Sequence, residues 1–134
     1  MADTLNLKVY TPTREFFDGS ATMVEFTTTE GNVGIYPKHV PTTAIIAPGT
    51  LTIHSDTQEK RCATLMSGFV EIEEESVTIL AEVCEWPDEI DEARANEARI
   101  RAERRISEKA TDLDLSRAEL ALKRALVRID TKNR

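Results

Sequence analysis

Leu5, Leu7 and Val9 alternate with Asn6, Lys8 and Tyr10, the period of a strand that buries one face. Residues 22–28 are rich in β-branched side chains, and Leu51-Thr52-Ile53-His54 and Val77-Thr78-Ile79-Leu80 add further short runs. Asp18-Gly19, Glu30-Gly31, Pro48-Gly49 and Ser67-Gly68 separate these runs and predict turns. Many short strands between turns predict a sandwich or a barrel.

The pattern changes after Pro87. The last 47 residues hold no glycine and no proline and are dominated by alanine, arginine and glutamate, a helical composition. Asp88 is the expected N-cap, with Glu89 in the first turn and Asp91 three residues on. Ile90, Ala93, Ala98, Ala102, Ile106 and Ala110 form a narrow stripe of mostly small residues. Leu115, Ala118, Leu122, Ala125, Leu126 and Ile129 form a second at helical spacing. Thr111-Asp112-Leu113-Asp114 supplies turn and capping chemistry between them. The simplest reading is an antiparallel pair of helices of about 20 residues, each roughly 30 Å long. An alanine lining buries little apolar area at about 25 cal/mol per Å², so such a hairpin is weakly held and can be docked, extended or exchanged between surfaces.

Charge places the boundary at Trp86-Pro87: residues 1–87 carry 13 acidic and 5 basic side chains, residues 88–134 carry 11 and 12. Two domains are therefore expected, 1–87 all β and 88–134 a helical hairpin. The net charge of −7 argues against broad phosphate-backbone binding. No apolar run is long enough for a membrane span, and Met1-Ala2-Asp3-Thr4 lacks the character of a signal peptide; a cytosolic chain is expected. Cys62 and Cys84 lack the short spacing of a metal or redox pair and are read as buried free thiols.

Candidate chemistry is sparse. His39 and His54 stand 15 residues apart with no recognisable carboxylate spacing, a weak metal signal. Glu71, Glu73, Glu74 and Glu75 point alternately along a strand and cannot converge on one ion, so they read as a solvated rim. No nucleophile with a base, no phosphate loop and no cysteine-rich metal site is recognisable; no catalysis by the isolated chain is expected. Arg94 and Arg101, seven apart, and Arg124 and Arg128, four apart, each share a helix face. Folding of the hairpin offers to bring four guanidinium groups together, and such forks suit phosphate oxygens. The alternative is a solvated face balanced by Glu92, Glu97, Glu103 and Glu108.

The stretch Gly31-Asn32-Val33-Gly34-Ile35-Tyr36-Pro37-Lys38-His39-Val40-Pro41 resembles the G-x-x-G-I-x-P-x-H-x-P segment of bacterial F-type ATP synthase epsilon subunits. The likeness continues through Pro48-Gly49-Thr50-Leu51, Ser67-Gly68-Phe69-Val70-Glu71-Ile72 and Val77-Thr78-Ile79-Leu80-Ala81-Glu82. It resumes at Ile90-Asp91-Glu92-Ala93-Arg94-Ala95 and from Arg117 through Ala125, covering nearly the whole chain in order. The resemblance implies an N-terminal antiparallel β-sandwich and a C-terminal two-helix hairpin. It also implies a non-catalytic rotor subunit that couples the catalytic head to the ion-translocating ring and restrains ATP hydrolysis by moving its hairpin.

By the same resemblance, Glu30, Gly31, Asn32 and His39 would meet the gamma subunit and the membrane c-ring. Arg117, Lys123, Arg124 and Arg128 would meet the catalytic beta subunit in an extended state, within a head of alpha and beta subunits. The I-D-x-x-R-A motif, Ile90-Asp91-Glu92-Ala93-Arg94-Ala95, with Glu85, Arg101, Arg124 and Arg128, would hold ATP as a regulatory ligand, not an obligatory cofactor. Glu85 and Asp91 would lie near the base and the arginines at the phosphates. Localisation would be peripheral, at the cytoplasmic face of a bacterial plasma membrane. Two rivals are a ligand-binding β-sandwich with a dimerising hairpin and a metal enzyme built on His39 and His54.

Overall fold

The computed structural model describes residues 3–108 and 111–134. Ten strands come first: β1 (Leu5–Tyr10), β2 (Glu15–Ala21), β3 (Met23–Thr28), β4 (Gly31–Ile35), β5 (Thr42–Ile46), β6 (Gly49–His54), β7 (Lys60–Leu65), β8 (Gly68–Ile72), β9 (Ser76–Ala81) and β10 (Cys84–Glu85). A short 3-10 turn (Pro87–Glu89) leads to α1 (Glu92–Ser107) and α2 (Asp112–Lys132).

Hydrogen bonding runs β10-β7-β6-β3-β5-β8-β9-β1-β2, with β4 paired to β3. Thr28 opposite Ile46 is the single β3–β5 pairing in the register, and there the path folds into a sandwich with β10, β7, β6, β3 and β4 on one side and the remaining strands on the other. Leu7, Val24, Phe26, Leu51, Leu65, Val70 and Ile79, drawn from both sides, form one buried cluster. β1 shows why: Leu5, Leu7 and Val9 are buried while the residues between them are not, because side chains alternate across a strand.

The turn expected at Asp18-Gly19 is absent. Both residues lie inside β2, with Lys8 opposite Asp18 and Leu7 opposite Gly19, and the reversal occurs earlier, where the Thr11 N–H donates to Arg14 O at 3.0 Å. Gly19 serves another purpose: a Cβ there would stand 3.2 Å from Phe17 Cζ, so its bare backbone leaves room for that ring.

The helical region also departs from expectation at its start. Asp91, not Asp88, caps α1, accepting from the Arg94 N–H at 3.1 Å. Asp88 is taken up in the 3-10 turn, whose Glu89 carboxylate accepts from the Trp86 N–H at 2.9 Å; proline at the first position favours that short turn. Thr111 caps α2 and accepts from the Asp114 N–H.

Between the helices the buried residues are Ala95, Ala102, Ala118 and Ala125. Ala93 and Leu126, both expected on the inner stripes, are exposed, whereas Ala95 is buried in place of Ala93. Ala110 lies outside the described residues. α1 packs on α2, and α2 lies across β6, β7 and the 3-10 turn.

Candidate functional site

Six of the eight side chains expected to hold a nucleotide line one cleft. Glu85 comes from β10, Ile90 and Asp91 from the segment before α1, Arg94 and Ala95 from its first turn, and Arg128 from α2; Glu89 and Ala98 complete the wall. Its volume of about 310 Å³ lies at the lower end of small-ligand sites.

Arg128 Nε donates to Glu85 Oε1 at 2.8 Å, with each side chain about three-tenths exposed. The Thr64 hydroxyl donates to the same oxygen at 3.2 Å. The cleft is therefore a junction of the sandwich, the connecting segment and the hairpin, with a carboxylate and a guanidinium already paired in it. A planar fork that meets a carboxylate also meets a phosphate.

Arg101 and Arg124 do not join this cleft. Arg101 stands exposed on α1, and Arg124 turns to the sandwich, donating to the Ser67 hydroxyl at 3.4 Å while its Nε is buried with no partner among the described residues. The expected group of four guanidinium groups is thus two in this state, Arg94 and Arg128. Arg124 and Arg128 are both engaged with the sandwich, while Arg117 and Lys123 are exposed on α2. Further down α2, Thr131 is fully buried and shares a 2.9 Å hydrogen bond with Thr50. Lys132 Nζ donates to Pro87 O at 2.8 Å.

On the cleft wall, Glu89 is held below the usual carboxylate range by the Arg14 guanidinium and by the Trp86 N–H. Arg14 is raised in turn, first by its hydrogen bond to Glu89. Burial pushes the Cys84 thiol up to about 12. Both cysteines are free, but only Cys84 is buried; Cys62, on the face of β7 opposite Ala63, is half-buried, whereas Thr64 on the same face is fully covered.

Thr29 and Glu30 form the β3–β4 turn, and Gly31 and Asn32 open β4 opposite Thr28 and Thr27. The Thr28 hydroxyl donates to Gly31 O at 2.9 Å, and the Thr27 hydroxyl to Asn32 Oδ1 at 2.7 Å. Gly31 has φ +122°, a conformation open to glycine and strained for other residues. His39 lies past the far end of β4, where its Nδ1 bonds Val40 O at 2.6 Å. The expected contact residues thus occupy opposite ends of one strand. His54 is elsewhere, with Nε2 3.4 Å from Glu25 Oε1. Among the described residues no group of three or more His, Cys, Asp or Glu is placed to hold a metal ion.

A surface that the sequence reading missed begins beside the Glu30 turn, where the Thr29 N–H donates to Ile45 O. Ile45 stands opposite Phe69, Phe69 opposite Leu80 and Leu80 opposite Tyr10. Ile45, Phe69 and Leu80 are 62%, 41% and 40% exposed, an apolar row crossing three strands. Alternation within β8 already puts Phe69 opposite in direction to Val70 and Ile72, but only the strand order aligns it with the others.

The family model for the β-sandwich domain of the ATP synthase delta/epsilon chain matches residues 4–87. The model for its long α-helix domain matches residues 88–133. An ATP synthase epsilon chain from Caldanaerobacter subterraneus subsp. tengcongensis is 45% identical over 130 residues, 96% of this chain and 94% of the relative. One from Clostridium novyi is 42% identical over 130 residues, 97% and 98% of the two chains. Among solved structures, a chain of the Euglena gracilis mitochondrial ATP synthase, a complex of OSCP, F1 and c-ring, superposes with TM-score 0.85 at 19% identity, covering 98% of this chain and 82% of that one. A chain of the Tetrahymena thermophila central stalk and c-ring gives 0.61 at 15%, covering 96% of both. At those identities the superpositions speak for the fold alone; the family models and the bacterial relatives cover the sequence from end to end, and the chain belongs to the delta/epsilon family of ATP synthase chains.

Proposed function

We propose that this chain works as the epsilon subunit in the central stalk of an F-type ATP synthase, peripheral to the cytoplasmic face of a bacterial plasma membrane. The sandwich couples the catalytic head to the ion-translocating ring through gamma and the c-ring. The Glu30-Gly31-Asn32 stretch, the neighbouring row of Ile45, Phe69 and Leu80, and His39 form the contact surfaces. Exposed apolar side chains arranged contiguously mark a surface that a partner covers. The chain is non-catalytic and contributes position and restraint.

The hairpin regulates hydrolysis by alternating between the docked state described above and an extended state. In the extended state Arg117, Lys123, Arg124 and Arg128 face the catalytic beta subunit. ATP in the cleft favours docking. Its phosphates take Arg94 and displace the Glu85 carboxylate from Arg128, leaving Glu85 and Asp91 toward the base. A ligand shifts such an equilibrium only through its differential affinity for the two states; at 100 times its dissociation constant it contributes about 2.7 kcal/mol. That is enough to decide the position of a hairpin closed by alanine.

The observation that carries this reading is the sharing of one cleft by Glu85, Asp91, Arg94 and Arg128, which a ligand can bridge only while the hairpin is docked. Calorimetric titration of the full chain with Mg-ATP tests it. One site is expected, weakened roughly tenfold or more by Arg94→Ala or Arg128→Ala, as the loss of a charge-assisted hydrogen bond implies, and much less by Arg124→Ala. Absence of heat at millimolar ATP contradicts the ligand assignment.

A further inference from the structure

The connection from Trp86 to Asp91 is held in two different ways. The Trp86 ring stacks on Phe16 of β2, centroids 4.3 Å apart and planes 18° from parallel, and meets Phe17 edge-on at 6.4 Å. With that face of the indole occupied, the Arg61 guanidinium carbon, 4.0 Å from the Trp86 centroid, lies over the other. Arg14, in the β1–β2 turn, sits 4.9 Å from the Phe16 centroid and donates to Glu89 Oε1 at 2.8 Å. That same oxygen accepts the Trp86 N–H at 2.9 Å. Stacking and cation–π attraction act together here, and they clasp residues 86–89 from β2, from β7 and from the turn before β2.

Past Glu89 the chain leaves this clasp, the Ile90 N–H making its last tie to Pro87 O at 3.2 Å. Ile90 (φ −92°, ψ 125°) and Asp91 (φ −88°, ψ 103°) are both extended, between a 3-10 turn on one side and an α-helix on the other. A clasped turn and a helix each resist bending, so a change in hairpin direction falls on the dihedrals of these two residues, as hinges do at element ends.

We infer that residues 86–89 belong mechanically to the sandwich, fastened by the Trp86 stack, and that the hairpin pivots at Ile90 and Asp91. The inference rests on the hairpin being the moving part, and it moves the mechanical boundary downstream of the charge boundary at Trp86-Pro87. It also gives the cleft a direct means of control. Ile90 and Asp91 line it together with Glu85 and Arg94, so a ligand seated there spans the pivot and immobilises the joint itself.

Amide hydrogen exchange of the full chain, resolved by NMR, tests the pivot because it reports local opening site by site. The Trp86 and Glu89 amides are expected to be protected like those of Val70 and Ile79 in the strands, with a fall of roughly tenfold or more on passing to Arg94 and Ala95. Trp86→Ala is expected to speed exchange at Glu89 by about tenfold while the strands keep their protection. Arg14→Ala, at an exposed position, gives a smaller change of the same sign and serves if the tryptophan variant folds poorly. Equal protection at Glu89, Arg94 and Ala95, or a fall already between Glu85 and Trp86, overturns the inference. A failure of ATP to bind leaves this profile untouched and refutes only the ligand assignment.

Discussion

The sandwich and the hairpin bury opposite kinds of side chain. In the sandwich Phe26, Leu51, Leu65 and Ile79 are fully buried, each contributing about 1.5–3 kcal/mol by leaving water. In the hairpin the buried residues are alanines and one threonine, while Leu113, Leu120 and Leu126 are 62%, 42% and 46% exposed. A helix pair that fully buries only small residues, with Leu115, Leu122 and Ile129 only partly buried and three other leucines exposed, is not built to be stable alone. Its attachment relies on polar ties to the sandwich through Arg124, Arg128, Thr131 and Lys132. Leu113 and Leu120 share a helix face with Arg124 and Thr131, yet only the C-terminal half of that face is docked. The free half supports a second resting place for α2.

The contrast is open to measurement at both ends. Phe26→Ala removes a ring from the centre of the sandwich, and a loss of about 3–5 kcal/mol is expected, read as a lower urea midpoint with Trp86 fluorescence as the probe. A loss near 1 kcal/mol would mean that the sandwich is looser than its packing indicates. Ala125→Leu forces the helices apart and is expected to weaken the hairpin by about 1–3 kcal/mol. Helical ellipticity is then lost at lower urea while the Trp86 transition keeps its midpoint. Movement of both transitions together would show that the two regions unfold as one unit, against the division of labour proposed above.

Much of this organisation was legible from residues alone, and the failures have physical causes. Alternation placed β1 residue for residue, since Leu5, Leu7 and Val9 differ sharply from their neighbours. Composition placed the helices, because a stretch free of glycine and proline has few other options. Where neighbours were alike the pattern lost its contrast: Ala93, Ala95 and Ala98 are interchangeable to a periodicity argument, and the buried member was missed. Asp88 and Asp91 are both sound caps, and the choice fell to Pro87 and to the Glu89 carboxylate folding back on Trp86. The direction of Arg124 depends on Ser67, far away in sequence, and the row of Ile45, Phe69 and Leu80 depends on strand order. Long-range pairings of this kind leave no local trace.

The detachable hairpin is tested most directly by the distance between the two regions in the assembled motor. Spin labels at Glu59→Cys, in the exposed β6–β7 turn, and Arg105→Cys, on the outer face of α1, placed in a Cys62→Ser background, report that distance by pulsed electron resonance. Two populations are expected without nucleotide, collapsing toward the docked distance as Mg-ATP is added. A single docked distance that persists in the complex with and without ATP contradicts the mobile hairpin and the switch built upon it.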